Sequence, residues 1–145
     1  MNDEKKLLIL VVDDFHDNRD MYAQFLSYAG FAVALAGDGQ EALDKASRLV
    51  PDLIVMDLSL PVMNGWEAIR QLKKNDQTKH IPIIALTAHT HQGVAEETKA
   101  AGCDGFITKP CPPEELVKEI VRMLERKDLR KTNRKQEKIQ AGAGS

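Results

Sequence analysis

Short apolar runs recur along the chain, each closing on a polar residue or a turn. Leu7-Leu8-Ile9-Leu10-Val11-Val12 is the first and ends at Asp13-Asp14. Unbroken apolar character over so few residues predicts a strand buried on both faces. A helix is expected over about 18–29, with Met21, Tyr22, Phe25 and Leu26 at helical spacing. Gly30 stands where a left-handed C-terminal residue belongs. Phe31 to Leu35 is a second, weaker strand. Asp38, in the turn Gly37-Asp38-Gly39, can cap a helix that turns Ala42, Leu43 and Ala46 inward, and Pro51 closes that region.

The pattern then repeats. Leu53-Ile54-Val55-Met56 runs into Asp57, and a loop of residues 58–65 leads to a helix from about Trp66 to Lys74. Pro82-Ile83-Ile84-Ala85-Leu86 runs into Thr87, followed by a helix from about Gly93 to Ala101 that closes at Gly102. Gly105-Phe106-Ile107-Thr108 runs into Lys109-Pro110. Pro112 and Pro113 open the last helix, where Leu116, Val117, Ile120, Val121 and Leu124 keep amphipathic spacing. Strand and helix alternate five times. This predicts an α/β fold, a doubly wound five-stranded parallel sheet with five helices on its two faces.

In such sheets ligands bind at the carboxyl ends of the strands. There the sequence places Asp13 and Asp14, Asp57, Thr87 and Lys109, each after a buried run. Two close carboxylates repel by about 4 kcal/mol at an effective dielectric near 20. A hard cation with oxygen ligands resolves that repulsion, and few protein ligands with room for water suit Mg²⁺. Taken singly, any of these residues could be a helix cap or a solvated charge. Their common phase at the strand ends is what points to a site.

The stretches 9–14, 52–65, 82–88 and 105–110 together resemble the receiver domain of bacterial two-component response regulators, and the resemblance runs over almost all of residues 7–125. It implies a flavodoxin-like sheet of strand order 2-1-3-4-5. It implies that Asp57 accepts a phosphoryl group from a histidine kinase or a histidine phosphotransfer protein. It further implies Mg²⁺ held by Asp14 directly, by Asp13 mainly through water, and by Asp57 and the backbone carbonyl of Ser59. Lys109 would pair with the carboxylate and then with a phosphoryl oxygen, and Thr87 would hydrogen-bond another. Thr87 and Phe106 would form the switch, read by a downstream protein on the face of the fourth helix, fifth strand and fifth helix. A cis Lys109-Pro110 peptide is also expected. Ser59 and His89 occupy positions of variable type, near the water that hydrolyses the acyl phosphate.

Composition narrows the picture. The chain has 145 residues, 43% hydrophobic and 29% charged, which suits one domain with a real core. Residues 1–125 carry 13 Lys and Arg against 20 Asp and Glu; residues 126–145 carry 7 against 2. An acidic body argues against a nucleic-acid partner. The expected division is a receiver over 1–126 and a basic, disordered tail over 127–145. No run is long enough to enter a membrane, and the first residues do not read as a signal peptide, so the expected compartment is the cytoplasm. Cys103 and Cys111 fit no disulfide or zinc spacing; the place of Cys111 after Lys109-Pro110 leaves its exposure open, and nothing nearby marks it as catalytic. His89 and His91 suggest a metal pair but lack further ligands, and Trp66 is expected to pack.

Two other functions compete. A haloacid-dehalogenase-type phosphatase also uses an Asp nucleophile and Mg²⁺, but wants a second carboxylate two residues on, where this chain has Ser59. A phosphorylation-independent scaffold would not need the full set Asp13, Asp14, Asp57, Thr87 and Lys109. The favoured reading is a switch that promotes only its own phosphorylation and dephosphorylation.

Overall fold

The computed structural model describes residues 6–58, 65–87 and 101–127. Five parallel strands are present: β1 (Leu8–Val12), β2 (Ala32–Ala36), β3 (Leu53–Asp57), β4 (Ile83–Thr87) and β5 (Gly105–Thr108). Their order is β2-β1-β3-β4-β5, as expected. Between them lie α1 (His16–Tyr28), α2 (Gly39–Leu49) and α3 (Gly65–Lys74). Residues 113–127 form the last helix. The helix expected from Gly93 falls outside the described residues except at its end, where Gly102 has a φ of 99°.

Period-two alternation sorts the apolar runs between two cores. Leu10, Val12, Ile54 and Met56 face a cluster completed by Ala42 and Ala46 of α2 and Ile69 and Leu72 of α3. Ile9, Val11, Val55 and Ile84 face the other, completed by Tyr22 and Leu26 of α1 and Leu116 and Ile120 of the last helix. Covered on both sides, β1, β3 and β4 need apolar residues at successive positions. Trp66 packs against the first cluster, as expected.

The apolar stripe of α1 is only half used. Tyr22 and Leu26, four residues apart, face the sheet, whereas Met21 and Phe25 are exposed. The side of α1 that meets the sheet is centred on Tyr22 and Leu26, so Met21 and Phe25 fall at its solvent edge. Cys111, whose exposure the sequence left open, is buried because it packs in the second cluster.

Local chemistry sets the element ends. Asp38 Oδ1 accepts the Glu41 N–H at 2.8 Å and caps α2 as expected. A Cβ on Gly65 would lie 2.5 Å from the Asp57 carbonyl oxygen, so α3 can start against β3 only with glycine there. The Lys109–Pro110 peptide is cis, as expected.

Candidate functional site

Strand register brings the polar ends together. Val12 lies opposite Met56, so Asp13 and Asp57 follow at the same level. Asp57 lies opposite Leu86, and Thr87 opposite Thr108, which puts Thr87 and Lys109 one step further along. The Lys109 N–H donates to the Thr87 carbonyl at 2.7 Å and continues the ladder past the end of β5.

Side chains converge accordingly. Oxygen atoms of Asp13, Asp14 and Asp57 lie within 4.8 Å of one another. Asp13 and Asp57 are buried, at 1% and 2% exposure, while Asp14 opens to solvent. Lys109 Nζ donates to Asp57 Oδ2 at 2.6 Å and stands 3.9 Å from Asp13 Oδ2. Thr87 is buried beside them at the end of β4. Asp13 Oδ1 accepts the Phe15 N–H at 2.8 Å, an Asx turn that leads the chain from β1 into α1. Its Oδ2 is buried and accepts no hydrogen bond among the described residues. Burial, opposed by the Phe15 N–H and reinforced by Asp57, holds the Asp13 carboxyl above the usual range.

A buried carboxylate oxygen without a donor, facing two further carboxylates, fits a hard cation. The structure thus assembles Asp13, Asp14, Asp57, Thr87 and Lys109 from four strand ends. Ser59 lies outside the described residues, as do His89 and His91. Phe106, on edge strand β5, points outward and is 40% exposed. Sequence reading missed the contact of Tyr22, whose hydroxyl donates to the Cys111 carbonyl at 3.2 Å. Only its place on the buried stripe of α1 hinted at it.

The parallel sheet with an acidic, lysine-bearing site at its carboxyl edge defines a class of phosphorylation-controlled signalling domains. Residues 9–121 match the response regulator receiver domain, and the chain belongs to that family, the receivers of two-component signal transduction. It is similar to the polar-differentiation response regulator DivK of Brucella anthropi, at 36% identity over 102 residues, covering 70% of this chain and 83% of the relative. Among solved structures it resembles the chemotaxis response regulator CheY4 of Vibrio cholerae, with 38% identity and a TM-score of 0.77 over 81% of this chain and 98% of the other. The receiver domain of the sensor histidine kinase PA1611 of Pseudomonas aeruginosa, described with a magnesium ion coordinated in its active-site cleft, is 34% identical. Its TM-score is 0.73, over 84% of this chain and 97% of that one. No described helix is long and apolar enough to cross a membrane.

Proposed function

We propose that Asp57 is the phosphoacceptor of this receiver, and that a histidine kinase or histidine phosphotransfer protein supplies the group. The observation that carries this is the Lys109 ammonium held 2.6 Å from Asp57 Oδ2 beside two further carboxylates. A carboxylate oxygen of Asp57 would attack phosphorus, forming a P–O bond as the P–N bond to imidazole breaks. The imidazole nitrogen keeps the bonding pair and takes a proton.

Transfer of this kind needs alignment and neutralised charge on the equatorial oxygens. Lys109 would follow one phosphoryl oxygen and the Thr87 hydroxyl would donate to another. Asp13, Asp14, Asp57 and the Ser59 carbonyl would hold Mg²⁺, whose chemistry when bound is to neutralise the charge that these carboxylates and the incoming group bring together. The chain would promote only its own phosphorylation and dephosphorylation. Its compartment would be the cytoplasm, where ATP-derived phosphohistidine donors arise, and its output a protein bound at the fourth helix, fifth strand and fifth helix.

Intact mass measured after incubation with phosphoramidate and Mg²⁺ tests the acceptor. One added phosphoryl group is expected on the parent and none on Asp57→Asn. Equal uptake by both would overturn the assignment.

We also take the receiver to occupy 1–126 and the basic segment to begin at 127. The charge reversal at residue 126 supports this boundary. Deleting 130–145 is then expected to leave the melting temperature and the phosphorylation rate unchanged, and a loss of several degrees would refute the boundary.

A further inference from the structure

Lys109 does its work at the end of a segment with few ties. Pro110, Pro112 and Pro113 have no N–H to donate, so three of the four residues after Lys109 cannot anchor themselves through that group. On the β4 side the Lys109 N–H is bonded to the Thr87 carbonyl at 2.7 Å. On the α1 side the Tyr22 hydroxyl donates to the Cys111 carbonyl at 3.2 Å, across 89 residues of sequence. Tyr22 is 4% exposed and packs in the second core cluster with Cys111 and Leu116, so its ring is fixed before the hydroxyl makes its bond.

Outside this bond lies a groove of about 430 Å³ lined by Asn18, Met21, Tyr22, Lys109, Pro110 and Cys111. A segment released from Tyr22 therefore has room to shift, and Lys109 shifts with it. The phenol also remains a donor at any working pH. Burial first, then Cys111 and the charges of Asp13 and Asp57, push it up to about 12.

We propose that Tyr22 is a positioning residue for phosphoryl transfer. Its hydroxyl fixes the Lys109–Cys111 segment and so keeps the Lys109 ammonium on the reacting oxygens. This rests on the reading of Asp57 as the acceptor. Tyr22→Phe keeps the ring and removes only the tie. A displacement of the catalytic group by a fraction of an ångström lowers rate more than one lost hydrogen bond lowers stability.

The test compares the parent, Tyr22→Phe, Lys109→Ala and the double variant. Phosphoramidate gives the phosphorylation rate, beryllofluoride gives the affinity for a phosphoryl mimic, and calorimetry gives Mg²⁺ affinity. Tyr22→Phe is expected to lose about fivefold or more in rate and in beryllofluoride affinity, with Mg²⁺ affinity kept within about twofold. In the Lys109→Ala background the same change is expected to cost less than about twofold in beryllofluoride affinity, because the residue it acts through is gone.

Tyr22→Phe matching the parent overturns the proposal. So does an equal loss with and without Lys109, which would mean that the hydroxyl supports the fold alone. A parent that takes no phosphate on Asp57 instead overturns the function proposed for the site, so the two failures are distinct.

Discussion

Asp13 and Lys109 share a site without sharing a short bond: the ammonium stands 3.9 Å from Asp13 Oδ2 and gives its close contact, at 2.6 Å, to Asp57. One cation thus serves two buried carboxylates unequally. The oxygen left over, Asp13 Oδ2, is buried and accepts no hydrogen bond among the described residues. A divalent ion would add opposite charge to this cluster of three carboxylates.

Asp13→Asn is expected to raise the stability of the metal-free protein by about 1–2 kcal/mol, since it removes a buried charge that lacks a full partner. It keeps an oxygen for the Phe15 N–H. The pH dependence has a definite sign. Because burial raises the folded-state pKa of Asp13, its contribution to stability is present at low pH and is lost as pH rises through that raised value. The parent without metal should therefore gain more than the variant on mild acidification, and Mg²⁺ should reverse the ranking at neutral pH. Urea unfolding with EDTA or Mg²⁺ checks all three; a destabilised variant in EDTA would contradict the reading.

Lys109→Met leaves the buried carboxylates of Asp13 and Asp57 without this ammonium. Lys109 is 23% exposed, so solvent screens part of the loss, and a cost of about 1–3 kcal/mol in EDTA is expected. Added Mg²⁺ is expected to recover more stability in this variant than in the parent. Thermal melts with and without the ion measure the difference, and an identical gain in both proteins would show that Lys109 does not offset the site charge.

Val50, at the C-cap of α2, has a φ of 46° and a ψ of 68°. A β-branched residue in this left-handed region is strained by roughly 1–2 kcal/mol, and Asn or Gly is suited to it. Val50 is 45% exposed, so little packing is lost on replacement. Val50→Asn is expected to raise the urea midpoint by an amount worth about 0.5–1 kcal/mol and to leave phosphorylation alone. A lowered midpoint would show that Val50 supports the fold by other means.

Thr87 and Phe106 sit on adjoining strands, β4 and β5, with Phe106 opposite Ala85 and exposed. If Thr87 moves to donate to a phosphoryl oxygen, Phe106 can rotate inward to fill the space. Lacking a hydroxyl, it would do so by packing alone. A bias of a few kcal/mol suffices to shift such a pair of states. NMR with beryllofluoride is expected to show shifts running from Asp57 through Thr87 to β5 and the last helix, and to lose the distant ones in Thr87→Ala. Shifts confined to the carboxylates would end the idea.

Sequence alone determined the alternation of elements and the identities at the strand ends. Runs such as Ile9–Val12 and Leu53–Met56 are apolar at every position because both faces are covered, and that signature is local. Asp13, Asp14, Asp57 and Thr87 were legible for the same reason, since each follows such a run and the parallel topology brings the ends to one edge. Lys109 instead follows β5, an edge strand that is half-buried and exposed by turns rather than the buried run expected before it. The tertiary structure decided what depends on distance. It chose Asp57 over Asp13 for the close contact with Lys109, and it left Asp13 Oδ2 without a donor among the described residues. It buried Tyr22 and Leu26 rather than Met21 and Phe25, buried Cys111, and joined Tyr22 to Cys111. Periodicity places a residue on a strand or a helix face to within a step; which atoms then meet is set by how helix and sheet pack, and no local pattern carries that information.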